Sequence, residues 1–421
     1  MVDVLRNRNF FYFFSGTFVS SIGDVLFNFA IGLYILHLTH SAFQLSFYGM
    51  IGAVTWLVLT PIGGVFTDRW NRVKIIYVTE MIRGISVVSC GIVMMMVNDK
   101  QIILYILYFT TFIIAVNGSL FSPASQALVP TLVGKNDLLK ANSLMSLTYS
   151  MKDVFGILLA GLMYALLGPV VLVLINGVSY LLSCIAALFI NVKEERFVGN
   201  KKNHIFIDLK DAFRYILKEN KQIIWLLLMV NVVNLSSGPI QSVLLPYLMK
   251  EFIKAPEMHL SYLYSAVALG GVCGTLIVSK LKISNYPVKM MKGSFIILFL
   301  AIASQLGFFI LFSNRFITYP IYLSLLIVVF FISGIINLCI MIPVLTFVQK
   351  VVRQEYYGRV MALFSTLSAI TVPFSMMIGG YLIDQFGISI LYYLSISILF
   401  ISLVIVNIKM KERSIEMKAE Q

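Results

Sequence analysis

Hydrophobic residues fill long uninterrupted stretches of this chain, and polar residues gather in short intervals between them. Each stretch is long enough for a helix that crosses a bilayer, which needs about 20 residues. A membrane β-barrel would instead show segments of about ten residues that alternate between apolar and polar. The pattern predicts twelve transmembrane helices, at approximately 10–37, 43–66, 74–97, 102–128, 138–166, 169–191, 222–249, 258–280, 287–312, 318–348, 358–385 and 388–408.

The composition also indicates a membrane protein. Only 12% of the 421 residues are charged and 59% are hydrophobic, whereas soluble domains carry about 25% charged residues. So few charges cannot coat a soluble surface, and the same composition excludes intrinsic disorder and collagen. The four cysteines all fall within apolar stretches, at Cys90, Cys184, Cys273 and Cys339. We interpret them as small buried residues and predict no disulfide framework, no metal site and no cofactor.

Positively charged residues predict the orientation of the spans, because they concentrate in cytoplasmic loops. Of the 32 Lys and Arg residues, 26 fall at the termini and in the even-numbered loops, four in the odd-numbered loops and two within spans. Both termini are therefore predicted to be cytoplasmic, which requires an even number of spans. The net charge of +13 then reflects topology and attraction to anionic membrane lipids rather than nucleic-acid binding. We expect a monomer.

One long polar stretch divides the chain into two sets of six spans. It predicts an N-terminal bundle at 1–191, a cytoplasmic linker at 192–221 and a C-terminal bundle with a short tail at 222–421. Apolar residues recur at helical spacing in this linker, at Phe206, Leu209, Phe213 and Ile216 or Leu217. An amphipathic helix on the inner membrane surface and a solvated linker with a helical turn or two both explain this spacing.

The two halves also repeat each other. In span 4, Asn117 precedes Pro123 by six residues, and in span 10 Asn337 precedes Pro343 by the same number. Further matches at a near-constant offset pair Lys140 with Arg359, Gly161 with Gly380 and Gly168 with Gly387. Their order indicates a duplicated six-helix unit.

The loop between spans 2 and 3 carries a specific motif. It reads Gly63-Gly64-Val65-Phe66-Thr67-Asp68-Arg69-Trp70-Asn71-Arg72. The glycine one turn before the helix end permits close packing, and Asn71 suits a left-handed residue in a tight reversal. This spacing resembles the signature loop of the major facilitator superfamily, in which Asn71 replaces a glycine. The resemblance implies a gate formed by Gly64, Asp68, Arg69 and Arg72; alternatively, these charges only set topology.

Other stretches resemble one branch of that superfamily, which contains macrolide-efflux and enterobactin-exporter-like proteins. They are Ser20-Ser21-Ile22-Gly23-Asp24, Phe121-Ser122-Pro123-Ala124 and Gly358-Arg359-Val360. The antiporter signature expected in span 5 keeps Gly156 and Gly161 but lacks its proline. The direction of transport is therefore left open by the sequence.

Charged residues inside the spans are the candidates for mechanism, because each costs about 2.5–3.5 kcal/mol to insert near the bilayer centre. Asp24 lies in the middle of span 1, and Lys152 and Asp153 lie in the middle of span 5. Burial favours the protonated form of a carboxyl group, so Asp24 is the leading candidate for proton coupling and Asp153 the second. Lys152 is a candidate counter-ion or substrate ligand. The alternative is that Asp24 and Lys152 form a static interhelical pair.

Glu80 and Arg83 stand three residues apart on one face of span 3, and we interpret them as a structural ion pair. Four further polar residues lie at comparable depth in spans 4, 7 and 10, at Asn117, Asn231, Asn234 and Asn337. In the family that the chain resembles, these spans line the central cavity, so the four are candidate substrate contacts. Each could equally be an interhelical hydrogen bond.

The sequence as a whole predicts an all-α membrane protein of two pseudo-symmetric six-helix bundles, in the inner membrane of a bacterial-type cell. The preferred function is a proton-coupled efflux antiporter for an amphipathic small molecule such as a drug or siderophore. A lysolipid transporter or a nutrient importer on the same fold is the nearest alternative. A non-transporting receptor or assembly partner is an alternative of another class. No nucleophile and base appear at matching depth, so we expect no enzyme.

Overall fold

The computed structural model describes residues 2–192, 213–218, 221–280, 287–353 and 356–409. Within these ranges every regular element is helical, as the long apolar stretches require in a solvent that cannot satisfy an open backbone. After a short turn at Val2–Leu5, the first three helices are α1 (Arg8–Thr39), α2 (Ala42–Arg69) and α3 (Arg72–Met96).

Glycines with positive φ divide the next helical stretch into three helices. The run Lys100–Met151 has non-helical backbone at Gly134, and the run Ile157–Leu188 has it at Gly168. A π-helix at Lys152–Gly156 joins the two runs. We therefore number α4 as 100–133, α5 as 135–167 and α6 as 169–188.

The second half contains six further helices. They are α7 (Lys221–Phe252, with π-helical turns at Ile240–Leu244 and Leu248–Phe252), α8 (Glu257–Lys280), α9 (Pro287–Ser313), α10 (Tyr319–Val351), α11 (357–386) and α12 (Ser389–Lys409). Ten helices of the described chain are long and apolar enough to cross a membrane. One of these, Lys140–Leu188, holds both α5 and α6, and Ser389–Val404 is a shorter apolar helix. The twelve predicted spans are accounted for.

The turns before α6 and α12 have nearly the same backbone geometry. Gly168 has φ 75° and ψ 173°, and Gly387 has φ 81° and ψ 176°. The sequence repeat pairs these two glycines, and a side chain at such φ values would be strained. Their shared conformation supports the duplicated unit.

Contacts within the described chain define two compact units. Unit 1 comprises Met1–Asn200 with Pro246–Ser261, and unit 2 comprises Lys201–Leu245 with Tyr262–Gln421. The predicted bundle boundaries at 191 and 222 stay a prediction. The segment 246–261 contacts the rest of unit 1 through a 2.7 Å hydrogen bond between His40 Nδ1 and Glu251 Oε2. The Lys250 ammonium also lies 5.9 Å from the centre of the Tyr164 ring.

The described part of the linker is a helical segment at 213–218, which is compatible with both the amphipathic helix and the linker with a helical turn or two. Tyr215 and Ile216 are buried there, whereas Phe213 and Leu217 are exposed. The Tyr215 ring stacks on Tyr356 with centroids 4.4 Å apart. Of the predicted apolar positions, Ile216 is therefore buried and Phe213 is not, because this turn packs through Tyr215 on the α10–α11 connection. Phe206 and Leu209 lie outside the described residues.

Candidate functional site

Helix α6 lies between α1 and α3 because both neighbours present glycines to it. A Cβ at Gly23 of α1 would lie 2.2 Å from Ser179 Oγ, and one at Gly84 of α3 would lie 2.6 Å from Leu181 Cδ2. Gly16 and Gly91, each seven residues from its partner along the same helix, make similar approaches to α6. Small residues allow this packing between membrane helices, and they bring the polar groups of the three helices together.

A stripe of polar residues runs along the buried side of α6. It consists of Asn176, Ser179, Tyr180 and Ser183, all buried and spaced for one helix face. Sequence reasoning from isolated charges did not select this stripe. Its spacing of three, four and seven residues within an apolar helix is the signal that could have found it.

Asp24 lies near the middle of α1 and is half-buried. The Tyr180 hydroxyl of α6 donates a hydrogen bond to Asp24 Oδ1. On the other side, Asn28 Nδ2 donates to the Asp24 backbone carbonyl over 2.8 Å, and Tyr48 donates to Asn28 Oδ1 over 3.0 Å. Tyr180 thus binds the carboxyl of Asp24, and Asn28 binds the backbone carbonyl of the same residue. Polar contacts to the carboxyl are expected for a functional charge at this depth.

Glu80 and Arg83 are the two fully buried charged residues of the described chain. Arg83 Nη1 donates to Glu80 Oε1 over 3.3 Å, so the predicted pair is present. The guanidinium also stands 4.9 Å from the centre of the Phe121 ring and 5.3 Å from that of Tyr180. Both distances fall within the range of cation–π attraction. Arg83 therefore connects the Glu80 carboxyl to the tyrosine that binds Asp24.

Three buried polar atoms of this cluster have no hydrogen-bond partner among the described residues. They are Glu80 Oε2, Arg83 Nε and Asn176 Nδ2. Buried polar atoms are usually satisfied, and their exceptions often mark functional sites. Glu80 Oε2 can accept a further hydrogen bond or a proton, and Arg83 Nε and Asn176 Nδ2 can each donate a hydrogen bond, without breaking the bonds already present.

The π-helix at Lys152–Gly156 places Lys152 and Asp153 differently. Gly156 packs on α1 beside Asp24, since a Cβ there would lie 3.5 Å from Val25 Cγ1. Lys152 is half-buried and acts electrostatically on Asp24, whereas Asp153 is exposed. A π-turn changes the direction of side chains relative to an α-helix. Of the two adjacent residues, Lys152 is thus the one associated with the cluster.

The signature loop differs from expectation in two details. Asn71 has φ −65° and caps α3, accepting a 2.7 Å bond from the Lys74 backbone, so the left-handed conformation was wrong. The tight approach falls at Gly63, where a Cβ would lie 2.1 Å from the Ser119 carbonyl oxygen of α4, and a Cβ at Gly64 would meet nothing within 4 Å. The reason is that Gly63, one position earlier on α2, faces α4.

Of the charged gate residues, the structure describes the side chains of Arg69 and Arg72. Arg72 Nη1 donates to the Ala127 carbonyl of α4 over 3.0 Å. Arg69 is exposed, and the side chain of Asp68 lies outside the described part of the structure. The gate itself stays a prediction.

Of the four predicted cavity residues, three make helix hydrogen bonds. Asn117 Nδ2 donates to Ile113 of its own helix over 2.8 Å. In unit 2, Asn234 Nδ2 donates to the Ser368 carbonyl over 2.9 Å, and Asn231 Oδ1 accepts a 2.7 Å bond from Thr371. Asn337 is half-buried. Asn231 and Asn234 thus join α7 to α11. Such interhelical hydrogen bonds were the alternative to substrate contacts for these two residues.

Comparisons with known proteins agree with this architecture. A family model described as Major Facilitator Superfamily matches residues 13–374 and 242–420. The chain is 22% identical over 394 residues to macrolide efflux protein A of Streptococcus pyogenes, covering 92% of each protein. It is 25% identical over 296 residues to the enterobactin exporter EntS of Salmonella typhi, covering 69% of this chain and 68% of the exporter.

A solved structure shares the fold across nearly the whole chain. It is the bacterial homologue of the iron transporter ferroportin in its inward-facing state, with a TM-score of 0.73, 16% identity and coverage of 95% of this chain and 98% of the other. The predicted all-α membrane fold and the predicted resemblance to this superfamily are thereby confirmed. The chain is a multi-pass membrane protein, and it belongs to the major facilitator superfamily of transporters.

Proposed function

We propose that this protein is a proton-coupled transporter that exports an amphipathic small molecule from the cell. The observation that carries the proposal is the Asp24 carboxyl, half-buried within α1 and hydrogen-bonded by Tyr180 beside the buried Arg83. A carboxyl at this depth changes its charge when its surroundings change from apolar to aqueous. Alternating access supplies that change, so protons can be taken up on one side and lost on the other.

The export direction and substrate class are supported by the relatives. The two relatives named above are a macrolide efflux protein and an enterobactin exporter. The chain has 13% aromatic residues and 20 methionines, which suit adaptable apolar contacts. Asn117 and Asn337 are the remaining candidates for polar contacts with the substrate.

In this mechanism, protonation of Asp24 removes its attraction to Arg83 and Lys152. The helix α1 is then released from one charge interaction with α3 and one with the α5 π-helix. The gate residues Arg69 and Arg72, on the side that the charge pattern makes cytoplasmic, respond to that movement. The terminal orientation and the gate are part of the proposal.

The test uses two matched substitutions in the full-length chain. Proteoliposomes are loaded with a radiolabelled macrolide, and flux is measured with and without a pH gradient. We expect Asp24→Asn to lose the flux that depends on the gradient, and Asp153→Asn, at an exposed position, to retain it. Gradient-driven flux in the Asp24→Asn variant would refute the coupling role of Asp24.

One observation favours a nutrient importer instead. Helix α5 contains no proline, unlike the antiporter signature. The same proteoliposomes decide the direction, because proton-driven export and proton-driven import respond oppositely to reversal of the pH gradient. Absence of flux for a macrolide, a siderophore and a lysolipid would favour the non-transporting receptor.

A further inference from the structure

Glu80 is as buried as a core residue, but its hydrogen bonds to Arg83 are fewer and longer than those of a strong ion pair. Its side chain is 0% exposed, and the bond from Arg83 Nη1 measures 3.3 Å. Strong Arg–carboxylate bonds are about 2.7–2.9 Å long and are frequently bidentate. Ser183 also faces this carboxyl, but Oε2 has no hydrogen-bond partner among the described residues. A permanent negative charge in this position is poorly compensated.

Arg83 is held mainly by aromatic rings. Its guanidinium lies near the rings of Phe121 and Tyr180, and a Cβ at Gly118 would lie 3.2 Å from Nη2. Ring contacts stabilise the cation without using its N–H groups. Nε has no hydrogen-bond partner in the described chain, so Arg83 can still donate to a second carboxylate.

The second carboxylate on which this charge acts is Asp24. The Tyr180 hydroxyl binds Asp24, and the ring of the same residue packs on Arg83. Arg83 acts electrostatically on both acids, and the two acids act on each other. The other titratable groups that interact with them are Lys152, Tyr48 and Tyr180 near Asp24, and Cys184 near Glu80.

We propose that Glu80 is a second proton-binding carboxyl and that Arg83 is a positioning residue, which pairs with whichever of Asp24 and Glu80 is ionised. This inference rests on the proposed function and extends it. When Glu80 takes a proton on Oε2, the Arg83 charge acts on Asp24 alone; when Asp24 takes the proton, Arg83 pairs with Glu80. One acid takes a proton from a hydronium ion on one side of the membrane. Its O–H bond then breaks as an O–H bond forms at the other acid, and this second acid returns the proton to water on the opposite side.

Infrared pH-difference spectroscopy of the full chain in detergent tests this without any transported substrate. We expect the wild type to show a carboxylic-acid band at acidic pH that is lost in Glu80→Gln. The titration midpoint of this band should shift in Asp24→Asn and in Arg83→Lys. The matched control is Glu257→Gln, which removes a carboxyl paired with Lys250 away from the cluster and should leave the Glu80 band unmoved.

Two results would overturn the inference. One is a Glu80→Gln spectrum identical to that of the wild type, which would mean that Glu80 never changes protonation. The other is a Glu80 band whose midpoint is the same in Asp24→Asn, which would make Glu80 independent of Asp24. If Glu80→Gln does not fold, Glu80→Asp keeps the carboxyl and should move the band.

Different results would refute the proposed function and the role of Glu80. If the wild type shows no flux that depends on a pH gradient, proton coupling is refuted even though both bands titrate. If wild-type flux is coupled and Glu80→Gln retains the wild-type pH profile, only the role of Glu80 is refuted.

Discussion

Units 1 and 2 share a helix pattern but differ in what they bury. Helix α3, the third helix of the first half, buries the charged side chains of Glu80 and Arg83. Helix α9, the third helix of the second half, buries apolar side chains such as Phe295 and Leu298, which are 1% and 3% exposed. Among the described residues, unit 1 thus buries an ion pair and unit 2 buries no charged side chain.

The contrast continues at the neighbouring helices. Helix α1 carries Asp24 within its span, whereas residues 222–249 of α7 include no charged residue; Ser237 there hydrogen-bonds its own helix at Val233. Tyr180, twelve residues after Gly168, corresponds to Leu399, twelve residues after Gly387 and 0% exposed. Unit 2 therefore forms the same helix pattern without these polar groups, which supports a functional rather than structural reason for them in unit 1.

The largest effect is expected from removing one partner of the buried pair. Arg83→Leu leaves the Glu80 carboxyl buried without its counter-charge, which costs about 3–5 kcal/mol of folding stability. Thermal unfolding in detergent should show the loss, which should be smaller at acidic pH, where Glu80 can be neutral. An unchanged unfolding temperature would mean that the pair contributes nothing in unit 1.

Replacing the pair by apolar residues, the kind that unit 2 buries in its third helix, separates stability from function. Glu80→Phe with Arg83→Leu removes both charges, and replacing a buried ion pair by apolar residues is often neutral or stabilising by about 1–4 kcal/mol. We expect a folded protein without gradient-driven flux. If the double variant still couples flux to the pH gradient, the buried pair of unit 1 is not required for coupling.

A smaller effect is expected at a feature that the two units share, which is a glycine packed against a backbone carbonyl of a neighbouring helix. Gly63→Ala forces a Cβ against the Ser119 carbonyl, and overpacking of this kind costs about 1–3 kcal/mol. Gly270→Ala in unit 2 should cost a similar amount, since its Cβ would lie 2.0 Å from the Phe331 carbonyl oxygen. Gly64→Ala is the matched control and should unfold at the wild-type temperature; destabilisation there would mean that the packing contact is misassigned.

The smallest effect concerns the neutral polar contact of unit 2. A double-mutant cycle with Asn231→Ala and Thr371→Val should give a coupling energy of about 0.6 kcal/mol, the average for hydrogen bonds between membrane helices. Unfolding in a mixed-micelle denaturant measures it. A loss of substrate affinity larger than this stability effect would instead assign Asn231 to the cavity.

The fold was largely predictable because its signals are local. Apolar length located the helices, and the match of Gly168 with Gly387 indicated the repeat before any coordinates. The exceptions were local too: Asn71 was expected to be left-handed, but it caps α3 instead, since a hydrogen bond to the Lys74 backbone satisfies the start of that helix.

The candidate site was predictable only in part. Asp24, Glu80 and Arg83 stand out in the sequence because charges are costly in lipid. Tyr180 and Phe121 do not, since aromatic residues make up 13% of the chain, and the roles of these two depend on which helix faces pack together. The close approach at Gly63 rather than Gly64 was also not predictable from the sequence. The two adjacent glycines are chemically identical and differ only in which side of α2 they occupy, and helix packing decides which side meets α4.

The sequence by itself determined that this chain lies in a membrane, how many times it crosses and which buried charges need an explanation. Hydrophobic length and the cost of a buried charge are properties of single residues and their neighbours along the chain. Only the tertiary structure decided that Glu80, Arg83, Tyr180 and Asp24 form one network. Three helices must pack at particular faces before a carboxyl in α1 and one in α3 can share a single arginine.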